Sequence, residues 1–173
     1  MLTINIITPF PDMFDVILNQ SILLKAKEKE LVEYNIINLF NYLDNKSERI
    51  DDYPYGGGEG MILKPEPILK AIDNIQLTNN VNSKIRVVFP TPDGRLFNHD
   101  KAKELSKEKS LIFICGHYKG IDQRIRDNIV TDEISIGDFV LTSGELPSMI
   151  MIDSIVRLKK GVLNNYQSAT KDS

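Results

Sequence analysis

Residues Ile134 to Pro147 read I-S-I-G-D-F-V-L-T-S-G-E-L-P. The segment opens as a strand and passes into small and polar residues that fit neither a helical nor a strand period. It stops at Pro147, where an apolar helix begins. With Gly137, Gly144 and few bulky side chains, this backbone can approach a ligand and offer it N–H and C=O groups. It therefore reads as a pocket-lining loop between a strand and a helix.

Working outward, the apolar patterning alternates between two periods. Strands are predicted at Thr3 to Ile7, Leu31 to Leu39, Lys84 to Phe89, Ser110 to Cys115 and Ile134 to Leu141. Ser110 to Cys115 is a nearly continuous apolar run, which suits a strand buried on both faces. Helical spacing covers Asp12 to Lys29, Pro65 to Ile75, a segment capped by Asn98, Ile121 to Asn128, and Leu146 to Lys159. Strands alternating with helices imply an α/β fold with a mainly parallel sheet flanked by helices. The last helix carries Met149, Ile150, Met151, Ile152, Ile155, Val156 and Leu158, apolar on more than one face. A central core helix and a helix that also forms a dimer interface both fit that pattern.

The 173 residues suffice for one domain with a sizeable core, expected at 1–163 and followed by a polar linker stub at 164–173. No apolar run approaches a membrane span. The N-terminus reads as a strand with no signal-peptide pattern, so a cytosolic protein is expected. A single cysteine, Cys115, excludes an internal disulfide, and with only two histidines no Cys/His metal site is expected. Net charge is −3, against the basic excess of a general nucleic-acid binder. Lys25 to Lys29 is a local basic candidate, but so short a charge run reads first as a solvated helix end.

Three glycine-containing turns follow three strands: Thr91 to Gly94, Gly116 to Asp122, and Ile136 to Gly144. Ligands of open α/β sheets sit at the carboxyl ends of strands, so these turns can build one pocket together. The glycines at 56, 57, 58 and 60 do not form G-x-G-x-x-G and follow a polar loop. P-loop and G-x-S-x-G signatures are absent.

Asp52-Tyr-Pro-Tyr-Gly-Gly-Gly-Glu-Gly-Met61, Thr91-Pro-Asp-Gly94, Cys115-Gly-His-Tyr-Lys-Gly-Ile-Asp122 and Glu133 to Pro147 occur in the order of the bacterial tRNA (guanine-N1) methyltransferase family, which the chain resembles over essentially its whole length. The resemblance continues through Ile152-Asp-Ser-Ile-Val-Arg157 and Gly161-Val-Leu163. It implies a SPOUT-like homodimer with a deep C-terminal trefoil knot, a rare exception to the threading rule. It implies S-adenosylmethionine as cofactor, tRNA as partner, and methylation of N1 of guanine at position 37, 3′ of the anticodon. Matching cofactor-binding positions are Phe89, Pro90, Thr91, Gly94, Gly116, Tyr118, Gly120, Ile136, Gly137, Phe139, Leu141, Gly144 and Pro147. Matching substrate-binding positions are Tyr55, Gly57, Gly58 and Glu59, with no metal ligands and the active site at the subunit interface.

Guanine N1 carries a proton at neutral pH, so the reaction needs a base, a group to stabilise charge developing on O6, and alignment. By resemblance, Asp172 is the catalytic base and Arg157 the catalytic arginine. From spacing alone, Arg157 four residues after Asp153 reads as a helix ion pair, and Asp172 as a solvated tail residue. Asp138 and Glu145, in the pocket loop, could pair with the donor's cationic groups or cap the following helix. His117, Lys119, Asp93 and Ser143 depart from the family's usual residues. The family carries a further C-terminal domain that helps grip tRNA, so weak methylation by a cofactor-binding dimer is the expectation. The alternatives are a knotted methyltransferase acting on another RNA and an inactive cofactor-binding dimerisation module.

Overall fold

The computed structural model describes residues 1–45, 47–54, 57, 60–79 and 85–163. In chain order the elements are β1 (Leu2–Thr8), α1 (Asp12–Leu18), α2 (Ser21–Glu28), β2 (Val32–Asn38), a 3-10 turn (Leu39–Tyr42), β3 (Asp51–Asp52), β4 (Ile62–Leu63) and α3 (Pro65–Asn79). They continue with β5 (Arg86–Leu96), α4 (His99–Leu105), β6 (Ser110–Ile114), α5 (Gln123–Asn128), β7 (Asp132–Ser135) and α6 (Glu145–Val156). Five strands form one parallel sheet in the order β2-β1-β6-β5-β7, and β3 and β4 make a small antiparallel ladder. The α/β architecture with a parallel sheet is thus as the periodicity predicts.

The two-residue strand period sorts apolar side chains onto two faces. Leu2, Ile4, Ile6, Val88, Leu111, Phe113 and Cys115 join one core under α1, α2, α4 and α6. Ile7, Val87, Phe89, Ile112 and Ile114 join a second core with Ile68, Ile72 and Ile125 of α3 and α5. Residues 111–115 are all buried because β6 is central and covered on both faces.

Several expected boundaries move. Asp12 to Lys29 is two helices, broken at Asn19–Gln20, with Ser21 in the left-handed region at φ 48°. The strand after Lys84 does not end before Pro90. It runs to Leu96, and Ile134 is in register with both Pro90 and Arg95, so residues 91–94 loop out of a ladder that resumes behind them. Conversely, β7 ends at Ser135, not Leu141, because the following residues turn into the loop. Asn98 caps α4 as expected, accepting from Lys101 N at 2.9 Å.

Helix α6 settles between core and surface. Met149, Met151, Ile152, Ile155 and Val156 are buried within this chain, whereas Leu146 and Ile150 are 46% and 50% exposed. The helix is a core element that leaves one narrow apolar strip uncovered.

Candidate active site

At the carboxyl ends of the adjacent strands β6, β5 and β7 the chain encloses a cavity of about 440 Å³. β5 contributes Phe89, Pro90 and Thr91. The turn after β6 contributes Gly116, Tyr118 and Gly120. The segment after β7 contributes Ile136, Gly137, Phe139, Leu141 and Gly144, and α6 adds Pro147. The structure therefore brings together every cofactor-binding position named from the sequence except Gly94. Gly94 stands behind the wall, pressed against β7, where a Cβ would come within 2.5 Å of Ile134 N. Its small size serves the backbone crossing.

The walls close through backbone contact. Gly144 N donates to Gly116 O at 2.8 Å, and a Cβ on Gly144 would meet Gly116 N at 2.7 Å. Tyr118, at φ 59°, holds an uncommon left-handed conformation for a residue with a side chain. Phe139 and Val140 leave 53% and 81% of their surface exposed at the cavity mouth.

Charged groups ring the cavity in two clusters. Arg126 of α5 pairs with Glu133 through Nε at 2.7 Å and Nη2 at 2.8 Å, and with Asp93 through Nη2 at 2.8 Å. Its guanidinium also lies 5.6 Å from the centre of the Phe89 ring. Hydrogen bonds from Thr91 and Arg126 hold the Asp93 carboxyl below its usual range. In the second cluster, Glu145 is fully buried. It accepts from Thr8 Oγ1 at 2.6 Å and, through both oxygens, from His117 Nε2 at 3.0 and 2.9 Å. Burial alone would raise the Glu145 carboxyl, but the bonds from His117, Thr8 and Ser143 outweigh it and hold it low.

Glu145 thus neither faces the cavity nor caps its helix: Gly144 holds the N-cap position before α6, with no side-chain cap. Asp138 is exposed to solvent. Arg126 is a charged lining residue that sequence reasoning missed. Its partners at 93 and 133 share no periodic spacing with it, so only the fold joins them.

Arg157 follows the C-terminal end of α6, whereas the cavity meets the N-terminal end. At a rise of 1.5 Å per residue, Arg157 stands about 15 Å along the helix from Pro147. Gly57 has a left-handed φ of 86°, lies outside the cavity wall and has nothing within 4 Å of a built Cβ. Asp172, Tyr55, Gly58 and Glu59 lie outside the described residues. Among the described residues no cluster of three or more metal-ligating side chains occurs, and no helix is long and apolar enough to cross a membrane.

The chain as a whole is similar to known proteins. Residues 2–173 match the family model described as tRNA (Guanine-1)-methyltransferase TrmD. The chain is 52% identical over 170 residues to the tRNA (guanine-N(1)-)-methyltransferase of Anoxybacillus flavithermus, and 54% identical over 170 residues to that of Bacillus cereus. Each alignment covers 98% of this chain and 69% of the relative. The crystal structure of the tRNA (m1G37) methyltransferase from Aquifex aeolicus superposes with a TM-score of 0.85 at 36% identity, covering 95% of this chain and 72% of that one. With the motifs, the parallel sheet and the whole-chain match in agreement, the chain belongs to the tRNA (guanine-N1)-methyltransferase family TrmD.

Proposed function

We propose that this chain transfers a methyl group from S-adenosylmethionine to N1 of the guanine 3′ of the anticodon, position 37, in tRNA. The observation that carries this reading is the convergence of the three glycine-containing turns on one cavity. The cavity fits the donor. Its volume of about 440 Å³ lies in the range of small-molecule sites, and its walls are mainly apolar with close backbone approach. Phe89, Ile136, Phe139, Leu141 and Pro147 supply surface for an adenine ring, and the turns at Gly116 to Gly120 and Ile136 to Gly144 supply backbone polar groups.

When bound, the donor supplies an electrophilic methyl on a sulfonium, which needs no activation. The protein's task is the acceptor. Asp172 takes the proton from N1 as general base, and Arg157 stabilises negative charge developing on O6. Tyr55, Gly57, Gly58 and Glu59 hold the substrate.

A homodimer with the active site at the subunit interface follows from the same reading. Two observations support it. Arg157 is about 15 Å from Pro147 along α6 of its own chain, so a second subunit is the natural source of the arginine. The adjacent helices α1 and α6 also expose Met13, Val16, Ile17, Leu146 and Ile150. A deep trefoil knot in the C-terminal half belongs to the same reading.

Titration with S-adenosylhomocysteine and a methyl-transfer assay on tRNA test the proposal. Asp172→Asn and Arg157→Ala are each expected to lower kcat by about 10² or more while leaving donor affinity near the parent value. Absence of donor binding, or full turnover by both variants, would overturn it.

A further inference from the structure

We infer that Glu145 is a positioning residue for the donor cavity, holding His117, and through it the Gly116 to Gly120 wall, in its binding geometry before any ligand arrives. The inference rests on the donor reading of the cavity above.

Glu145 is a fully buried carboxylate, and such a group is costly to bury unless it is paired and hydrogen-bonded. Its partners come from two distant elements. Thr8 closes β1, and His117 lies in the turn after β6. Glu145 itself opens α6, where the helix dipole favours a negative charge. Three elements are therefore joined at one side chain.

His117 is the member that reaches the cavity wall. Both carboxylate oxygens face its Nε2, so that nitrogen carries a proton and the tautomer is set. The imidazole is packed further by Phe10, with ring centres 4.8 Å apart, and by Tyr118 at 6.2 Å. Tyr118 follows directly in the left-handed conformation, and Gly120 N closes the turn on His117 O at 2.9 Å. A strained residue persists only where its surroundings over-determine it. Here the anchored imidazole on one side and the bond from Lys119 N to Met61 O, at 3.0 Å, on the other do so. Glu145 does not line the cavity, and its side chain is joined to the cavity wall through His117.

The test uses imidazole ¹⁵N NMR on the full chain, calorimetric titration with S-adenosylhomocysteine, and donor kinetics. The chain has two histidines, so a His99→Gln variant assigns both resonances. Parent protein without ligand should show a protonated, slowly exchanging Nε2–H on His117. In Glu145→Gln that signature should be lost, S-adenosylhomocysteine affinity should fall roughly tenfold, about the worth of one charge-assisted hydrogen bond, and the kinetic loss should fall on KM for the donor more than on kcat. Thr8→Val removes a different bond to Glu145 and serves as the stability control. Its donor affinity should stay within about twofold of the parent, since the imidazole bond remains. Unchanged affinity in Glu145→Gln, an equal loss in Thr8→Val, or a His117 Nε2 without a proton in the parent would overturn the inference. If Glu145→Gln does not fold, His117→Asn is measured instead, and parent-like affinity there would overturn it equally. A parent protein that binds no S-adenosylhomocysteine would instead remove the donor reading on which the inference rests.

Discussion

Gly94 lies directly on the backbone of Ile134: a Cβ at position 94 would stand 2.5 Å from Ile134 N and 2.7 Å from Glu133 O. The contact explains how residues 91–94 can leave the β5–β7 ladder and rejoin it while keeping hold of β7. It ties the shape of the cavity's first wall to the pairing of the edge strand.

Gly94→Ala should therefore destabilise the protein by about 2–3 kcal/mol, because the obstructing atoms are backbone and cannot swing aside. Urea unfolding should show a lower midpoint with an unchanged slope. Affinity for S-adenosylhomocysteine should fall as well, since Thr91 shares the displaced segment.

Arg126 bonds Glu133 of β7 and Asp93 in the cavity wall. Arg126→Gln removes the two-pronged pairing and should cost about 1–2 kcal/mol. It should also weaken S-adenosylhomocysteine several-fold in a calorimetric titration. Combined with Asp93→Asn, the losses should be less than additive, because both substitutions break the same contact.

Asp132 supplies a pH test. Its buried carboxylate accepts from Arg86, from Thr131 at 2.7 Å and from Lys101 at 2.9 Å. Burial opposes ionisation, but the bonds from Arg86, Thr131 and Lys101 win and place the carboxyl well below its usual range. A depressed folded value contributes stability that is complete above the unfolded pKa of about 4 and disappears as pH falls toward the folded value. Asp132→Asn should lose about 2 kcal/mol at pH 7, and its deficit against the parent should shrink from pH 4 downward. Urea melts at pH 7, 5 and 3 would show whether the two curves converge.

Cys115 is buried beside Ser148, with the sulfur 3.4 Å from Ser148 Oγ. Burial pushes its thiol well up, and the nearby Glu145 carboxylate adds to the shift. The native protein should resist a thiol-specific reagent at pH 8 and react at the rate of unfolding, with full labelling in denaturant. Fast stoichiometric labelling of the folded chain would contradict this burial.

Much of the fold was legible because strand and helix periods are local. The alternation across Thr3 to Ile7 and the continuous apolar run Ser110 to Cys115 both became sheet strands, the latter at the centre. The breaks were less legible. Nothing in the apolar spacing marks the break at Asn19–Gln20 before the left-handed Ser21 that opens α2, and Pro90 does not end β5, because β7 picks up the ladder again beyond the looped residues. The candidate site was legible wherever glycine recorded a close approach. Gly94 stands apart from the cavity lining and records the approach of a neighbouring strand.

The sequence by itself determined the alternating elements, the three turns that line the cavity and the family that shares them, since each is written in residues close together along the chain. Only the tertiary structure decided which carboxylate faces which partner. Thr8 and Glu145 are 137 residues apart, and their bond exists because β1 and α6 are neighbours in space. Likewise the separation of Arg157 from the cavity follows from the length and direction of one helix, and no local pattern encodes where that helix points.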